Sequence, residues 1–347
     1  MSSKTDNQST RDNHYVPKMY LKQWSTNGHS ILTYRLLVHH KNEPLWERTS
    51  IKRTACWTDL YTQHNQDKLD EVEHYFGTVE TETAPILKKI SLGKILSANE
   101  MATLVEFLII QKARTPAAMK EHESFLDRYF VEVAGESVRK AQQSIQNGRH
   151  RSISREKLAE ETLPFPLQPI NIDINSEKRE VRVEALRGRA SFLAGIHSLI
   201  SGQVATWLRN QNWVIATMPI GDTLPTSDNP VTVFAFNREN GEIMLNPPLK
   251  QNGCCVFFPL DPRHALFTEI GSDPIALANF APDSYQANCF IRAIVINAFR
   301  YVYAKEKISN IETIRKRIVN PEIAEAEKIF ISQWDKTQRR AEAEFGK

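Results

Sequence analysis

The sequence predicts an α+β protein, a helical first half packed on a mostly antiparallel sheet formed by the second half. Three observations carry this. From residue 69 to about residue 146, apolar residues step by three and four, the period of a helix face. From Trp213 the period drops to two, in the short runs VIATM, VTVFAF, EIML, CCVFF and ALFTEI, which turn residues separate. Helices and strands do not alternate regularly, which argues against a doubly wound parallel sheet.

Taken in order, residues 14–24, HYVPKMYLKQW, form an aromatic-rich anchor. Residues 31–38 read as a strand, and a second short strand runs through residues 51–57. Leu69, Val72, Phe76, Val79, Thr83, Ile86 and Ile90 make a helical stripe, which Pro85 should end or kink near Ala84. Ser97 and Glu100 have capping-box spacing. The helix they start is apolar on two faces, through Leu104, Val105 and Leu108 on one and Phe107 and Ile110 on the other, so it should lie sandwiched inside the protein. A charged helix over residues 117–146 follows, then irregular chain over 147–180 with Pro164, Pro166 and Pro169, then a helix over about 183–210. The strands come next, then a buried helix over 285–303 and a charged amphipathic helix from Pro321. The domain reading is a disordered tail at residues 1–12, one α+β domain at 13–305 and a charged helical extension at 306–347.

Composition narrows the class without naming an activity. The chain has 347 residues, 41% of them apolar and 24% charged, as ordinary globular proteins do. Lys and Arg total 44 against 41 Asp and Glu, and a net charge of +3 neither demands nor forbids a nucleic-acid partner. No apolar run approaches the ~18 residues of a membrane span, and the N-terminus has no apolar signal core, so a cytoplasmic protein without a membrane partner is expected. The four cysteines lack Cys-x-x-Cys spacing and read as reduced thiols. Adjacent Cys254 and Cys255 should face opposite sides of a strand. There is no Walker loop, Gly-x-Gly-x-x-Gly, His-Glu-x-x-His or nucleophile elbow, which argues against the enzyme classes built on them.

What remains is a set of polar residues in apolar settings, each with a structural reading beside the functional one. His14, stiffened by the following Val16-Pro17, is a general base or metal ligand, or else a pin for the N-terminal segment. Its string resembles the opening of the ββα-metal nucleases, but Asn27 and His29 follow too closely for that motif. Glu80 sits at the edge of its helical stripe, on the core side or on a solvated flank. Arg114 extends the apolar line Phe107, Ile110 and needs a partner, for which Glu80 is first choice and Asp228 the reserve. It is either a structural ion pair or a grip for phosphate or carboxylate. Asp228, in Ser227-Asp228-Asn229-Pro230, is a turn former or a base at a strand end. Asn297 and Tyr301 lie four apart on the predicted last helix and read as structural. Arg149, Arg151 and Arg155 form the densest basic patch and read as a surface loop.

HYVPKMYLKQW, QKARTP, WVIATM leading to TSDNPV, FFPLDPR and NAFRYVYA occur in that order. Together they resemble the domain-of-unknown-function family 4238, found mostly in bacteria, over about residues 13–305. By that resemblance His14, Pro17, Tyr20 and Leu21 match the family's opening, and Glu80, Arg114, Asp228, Asn229 and Pro230 its other polar or turn positions. Met19 and Trp24 stand where members often carry an aromatic and Phe. The resemblance implies one domain and declares no activity.

The functional expectation is a hydrolase. His14, Glu80 and Asp228 would be its catalytic residues, and Gln111, Arg114 and Asn229 would hold a phosphate-containing substrate, a nucleic acid or nucleotide. In one version a divalent metal ion is shared by His14, Asp228 and Glu80. A toxic effector in a bacterial conflict system is the biological setting this suggests. The rival is a non-catalytic binding or sensor protein whose polar cluster is structural and whose C-terminal helix takes a protein partner.

Overall fold

The computed structural model describes residues 12–62, 71–146, 170–175, 180–237 and 242–345. Its architecture is α+β with mostly antiparallel sheets, as the periodicity predicts, but a four-stranded sheet and a small parallel pair are drawn from both ends of the chain. The expected tail lies outside the described residues apart from Asp12, as do the proline patch and the basic cluster around His150.

The anchor forms strand β1 (Asp12–His14) and, past Pro17, one helical turn α1 (Lys18–Leu21) that tightens into a 3-10 turn at Lys22–Trp24. Tyr20 and Trp24 are buried, and each polar tip finds a carbonyl: Tyr20 Oη donates to Pro259 and Trp24 Nε1 to Leu224, both at 2.7 Å. Strands β2 (Ser30–Arg35), β3 (Leu37–Val38), β4 (Glu47–Ser50) and β5 (Cys56–Thr58) follow. The strand expected through residues 51–57 is only β5, because a 3-10 turn at Ile51–Arg53 precedes it.

Helix α2 (Glu71–Ser91) continues past Pro85, so of the predicted end or kink the end does not occur. The proline forfeits the bond to the Thr81 carbonyl, but Phe76 and Val79 before it and Ile86, Leu87 and Ile90 after it bury against one core, and that burial outweighs one lost bond. Helix α3 (Ala98–Ala113) starts with the capping box formed and is buried on both predicted faces. Helix α4 (Pro116–Gln146) is the charged one. Where irregular chain and then helix were expected, β6 (Ile170–Asn175) and β7 (Glu180–Ala185) pair as a hairpin. The alternation of EVRVEA, read there as helix, is a strand period. The expected single helix is split into α5 (Arg189–Ser201) and α6 (Gln203–Arg209) at Gly202, where a Cβ would stand 2.1 Å from the Ser198 carbonyl oxygen.

The second half supplies β8 (Val214–Thr217), β9 (Thr226–Ser227), β10 (Thr232–Phe236), β11 (Ile243–Leu245), β12 (Cys254–Pro259) and β13 (His264–Glu269). Beyond them come α7 (Pro274–Ala278), α8 (Ser284–Asn297), β14 (Tyr301–Ala304), α9 (Ile311–Ile314), β15 (Ile318–Val319) and α10 (Pro321–Phe345). One sheet has the order β11-β10-β12-β13-β8, antiparallel throughout. Its central strand β12 is buried on both faces. Cys254, Val256 and Phe258 pack toward the core under α2, α3 and α5, while Cys255 and Phe257 pack toward α8, where Phe257 stacks on Phe290 at 4.4 Å. The two adjacent cysteines thus sit in different cores as predicted, and all four are free thiols. The other sheet, β4-β2-β14-β9, joins N-terminal strands to C-terminal ones, and its outer side packs on α8 through Tyr34, Val302 and Val295. Among the described residues no helix is long and apolar enough to cross a membrane.

Helix α10 is bolted to this body by its second half. Trp334 is buried against Trp57, with ring centroids 5.2 Å apart. Arg189 is fully buried, and its guanidinium donates to Asp335 and Glu342 at 2.9 Å and to the Asp59 carbonyl at 3.0 Å. Gln338 lies against Gly188, whose missing Cβ would fall 2.1 Å from the amide oxygen. Removing one partner of a buried ion pair strands the other charges. Arg189→Ala should therefore cost about 3–5 kcal/mol in urea denaturation, whereas breaking the exposed Arg340–Glu344 pair with Arg340→Ala should leave the midpoint unchanged.

Candidate functional site

The site is built where helix α8 gives way to strand β14. The helix was expected to continue to residue 303, but it stops at Asn297 because the next bonds of its ladder are taken by side chains. A continuing helix would send the N–H groups of Phe299 and Arg300 to the carbonyls of Val295 and Ile296. Instead both N–H groups donate to the Asp228 carboxylate, at 2.8 and 2.7 Å. The two carbonyls accept from the Arg315 guanidinium, at 3.2 and 2.7 Å. Asn229 and Asn297 clasp reciprocally, each side-chain amide donating to the other's main-chain carbonyl, at 3.1 and 2.9 Å. Tyr301 accordingly sits on β14 and not one helical turn beyond Asn297.

Strand β14 then fixes a row of side chains. Tyr301 lies opposite Arg35 and Tyr303 opposite Thr33 on β2, and Thr33 lies opposite Glu47 on β4. These residues share one face by the strand period, and that face is one wall of a cavity of about 610 Å³. Asp228 and Tyr15 line it beside Tyr301 and Tyr303. Cys56 and Trp57 of β5, Lys120 near the start of α4, and Glu327, Phe330 and Ile331 of α10 complete the enclosure. The volume lies within the range of small-molecule sites.

The predicted residues divide between this cavity and a separate buried network. Asp228 is on the cavity wall. Arg114, 1% exposed, donates to Glu80 at 2.7 Å and to the Gln111 side-chain oxygen at 3.0 and 3.2 Å, so the nominated ion pair is present. Its guanidinium also lies over the Phe76 ring. Gln111 Nε2 donates to the Tyr15 carbonyl at 2.7 Å, and Tyr61 Oη donates to the Arg114 carbonyl at 2.8 Å. Neither Arg114, Gln111 nor Glu80 lines the cavity, and the network reaches it only through the backbone of Tyr15. His14 also lies off the wall. On β1, opposite Cys56, its Nε2 donates to the Lys52 carbonyl at 3.2 Å, which is the pinning role. Asn229 holds the turn and does not line the cavity. His14, Glu80 and Asp228 are each engaged elsewhere, and among the described residues no three His, Cys, Asp or Glu side chains converge as metal ligands.

Burial decides the electrostatics. It pushes the Asp228 carboxyl up to about 6, outweighing the backbone N–H groups that favour its charged form. It lifts the phenols of Tyr15 and Tyr303 well above their ordinary value, so both are neutral donors near pH 7. His14 is lowered, first by burial and then by Lys18. Two of the cavity's cations are neutralised, Arg35 by Glu47 at 2.8 Å and Arg300 by Glu327 at 2.6 Å. Arg48, Arg53 and Lys120 also line it and make no ion pair among the described residues. A carboxyl able to exchange a proton near neutrality, neutral phenols, flat aromatic faces and unpaired cations suit a ring-bearing anion.

Sequence reasoning missed Tyr15, Tyr303, Trp57, Cys56, Lys120, Arg53 and Glu327 as cavity residues. A signal was present for the strand row alone, in YVYA and ILTYR, where Tyr301 and Tyr303, and Thr33 and Arg35, recur every second residue; the other missed residues carried none.

Asp228→Ala would orphan two backbone N–H groups, so it should destabilise the protein by about 2–4 kcal/mol. This departs from a purely catalytic role, which would leave stability unchanged. A folded-state value above the unfolded one means the native protein holds this proton more tightly, so the stability it contributes is present at low pH and lost as pH rises from about 4 through about 6. That rise corresponds to about 3 kcal/mol. Asp228→Asn should lack this component, and urea titrations at pH 4.5 and 7.5 should show wild type losing more stability than the variant between the two.

The comparisons with known proteins add a family and no activity. No curated protein and no solved structure matches the chain. The family model described as protein of unknown function (DUF4238) matches residues 12–307, which hold Asp228, the tyrosine row and the Arg114 network, and the chain belongs to that family.

Proposed function

We propose that the protein is a hydrolase of a phosphate-containing substrate of the nucleotide class, with the cavity as its active site. The observation that carries this reading is Asp228, a buried carboxyl titrating near 6 on the wall of an aromatic-lined cavity with unpaired cations. Tyr301 and Tyr303, nearly parallel at 6.2 Å, together with Trp57, offer surfaces for a base. Arg53 and Lys120 would hold the phosphate. Ionised Asp228 would take a proton from a water as its oxygen bonds to phosphorus. The bond from phosphorus to the leaving oxygen would break, and the proton would pass to that oxygen.

In this reading Glu80, Arg114 and Gln111 position Tyr15, Asn229 positions Asp228, and His14 fixes the N-terminal strand. A second reading, a non-catalytic sensor of the same ligands, is favoured by one observation: both Asp228 oxygens already accept backbone N–H groups. The C-terminal helix would then carry the signal to a protein partner.

The test is a panel of nucleotides and simple phosphate esters, read by thermal shift and by phosphate release from pH 5 to 8. The hydrolase should release phosphate at a rate that rises through about pH 6. Arg53→Ala and Lys120→Ala should each weaken binding roughly tenfold, the worth of one charged hydrogen bond. Binding without release would select the sensor, and neither binding nor release would remove both readings. Expression in a bacterial host, with nucleic acids examined afterwards, tests the toxic-effector setting, in which wild type but not Asp228→Asn should arrest growth.

A further inference from the structure

The family match ends at residue 307, yet the cavity is closed by helix α10, which begins at Pro321. Glu327, Phe330 and Ile331 of that helix line it. Phe330 packs edge-on against Trp57, with ring centroids 5.9 Å apart, although half its surface stays exposed. Glu327 accepts from Arg300 Nε at 2.6 Å, and both side chains are about a quarter exposed. Arg300 is also the residue whose backbone N–H is held by Asp228, and its guanidinium lies over the Phe299 ring at 4.4 Å.

We propose that Glu327 sets the ligand charge this cavity accepts, by occupying the guanidinium of Arg300 that an anionic ligand would otherwise use. The proposal rests on the cavity being a ligand site and names what selects the ligand there. Two effects act in one direction. The carboxylate removes Arg300 from the cations free to meet a phosphate, and it adds a like charge to the wall facing one. Two charges on a ligand would have to be met by Arg48, Arg53 and Lys120 without Arg300 and against the Glu327 carboxylate, whereas a single charge needs fewer of those cations. The structure thus assigns the cavity a preference for a ring carrying a single anionic charge over the same ring carrying two. That preference comes from a helix outside the family segment.

The test uses Cys56, which lines the cavity and is half-buried, whereas Cys254, Cys255 and Cys289 are buried. Alkylation by iodoacetamide at pH 8.5, followed site by site by mass spectrometry, reports cavity occupancy as protection of Cys56. The probes share one ring: naphthalenemethanol (neutral), naphthalenesulfonate (one charge) and naphthyl phosphate (two charges). In wild type the sulfonate should protect at lower concentration than the phosphate. Glu327→Gln should lower the half-protecting concentration of naphthyl phosphate about tenfold while leaving naphthalenemethanol within twofold. The double variant Glu327→Gln with Arg300→Gln should lose that gain. Equal protection by each probe in wild type and Glu327→Gln would overturn the role of Glu327 and leave the cavity reading standing. Failure of all three probes to protect Cys56 in either protein would overturn the cavity reading and the proposal together. Urea midpoints for both variants separate a change in selectivity from loss of the helix, since undocking α10 would expose Trp334 and speed Cys56 alkylation without any probe.

Discussion

The carboxylate of Asp228 holds the two N–H groups that would have prolonged helix α8, and the shape of the site depends on that substitution. A helix ends when its donors and acceptors find other partners. Here one acidic side chain takes the donors and Arg315 takes the acceptors, so the chain leaves the helix at Asn297 and enters β14 within four residues. That turn brings β14 between β2 and β9 and ties the beginning of the chain to its end in one sheet. The tyrosine row, the cavity wall and the neighbouring charge pair of Arg300 all follow from it. The carboxylate that builds the site is also the group on which the proposed hydrolysis rests. Its two roles meet in its burial, which raises its proton affinity and makes its hydrogen bonds hard to replace.

The buried Arg114 network is a different use of charge. Its guanidinium has Glu80 and Gln111 as partners and an aromatic ring beneath it, so the cost of desolvating a cation is met by hydrogen bonds in fixed directions. Those directions matter because Gln111 passes the constraint on to the Tyr15 carbonyl. The network thus reaches the cavity through one backbone atom of the anchor segment, and none of its charged groups lines the cavity.

Much of the fold was legible because burial imprints a period. The two-faced apolar pattern of α3 and the strand runs after Trp213 needed only counting, and Cys254-Cys255 could be assigned to opposite faces before any core was known. Two of the misreadings share a cause. Pro85 and the end of α8 were judged from local rules, and in both places distant partners decided: packing along α2 overrode the proline, and Asp228 and Arg315, each remote in sequence, overrode a helical run. At the site, the pairing of Arg114 with Glu80 followed from the cost of an unpaired buried charge, and Asp228 from a turn motif in an apolar setting. The cavity itself was not legible. Its residues come from β2, β4, β5, β14, α4 and α10 and from the turns that carry Tyr15, Arg53 and Asp228, and no single segment is unusual enough to advertise a surface that exists only when all of them meet.

The division between the family segment and α10 bears on how such a site acquires its preference. Asp228, the tyrosines and the Arg114 network lie inside residues 12–307, the segment the family model matches, and α10 lies beyond it. Helix α10 is held through Trp334, Arg189 and Gln338, none of which lines the cavity although Trp334 packs on the lining residues Trp57 and Phe330, while Glu327, Phe330 and Ile331 line it. Attachment and contact are only partly separated along this helix, because Glu327 both lines the cavity and pairs with Arg300, and Phe330 both lines it and packs on Trp334. Under the proposed function Glu327 meets the Asp228 turn through the side chain of Arg300, whose backbone N–H Asp228 holds, so a change at Glu327 would be felt at that turn as well as by the ligand.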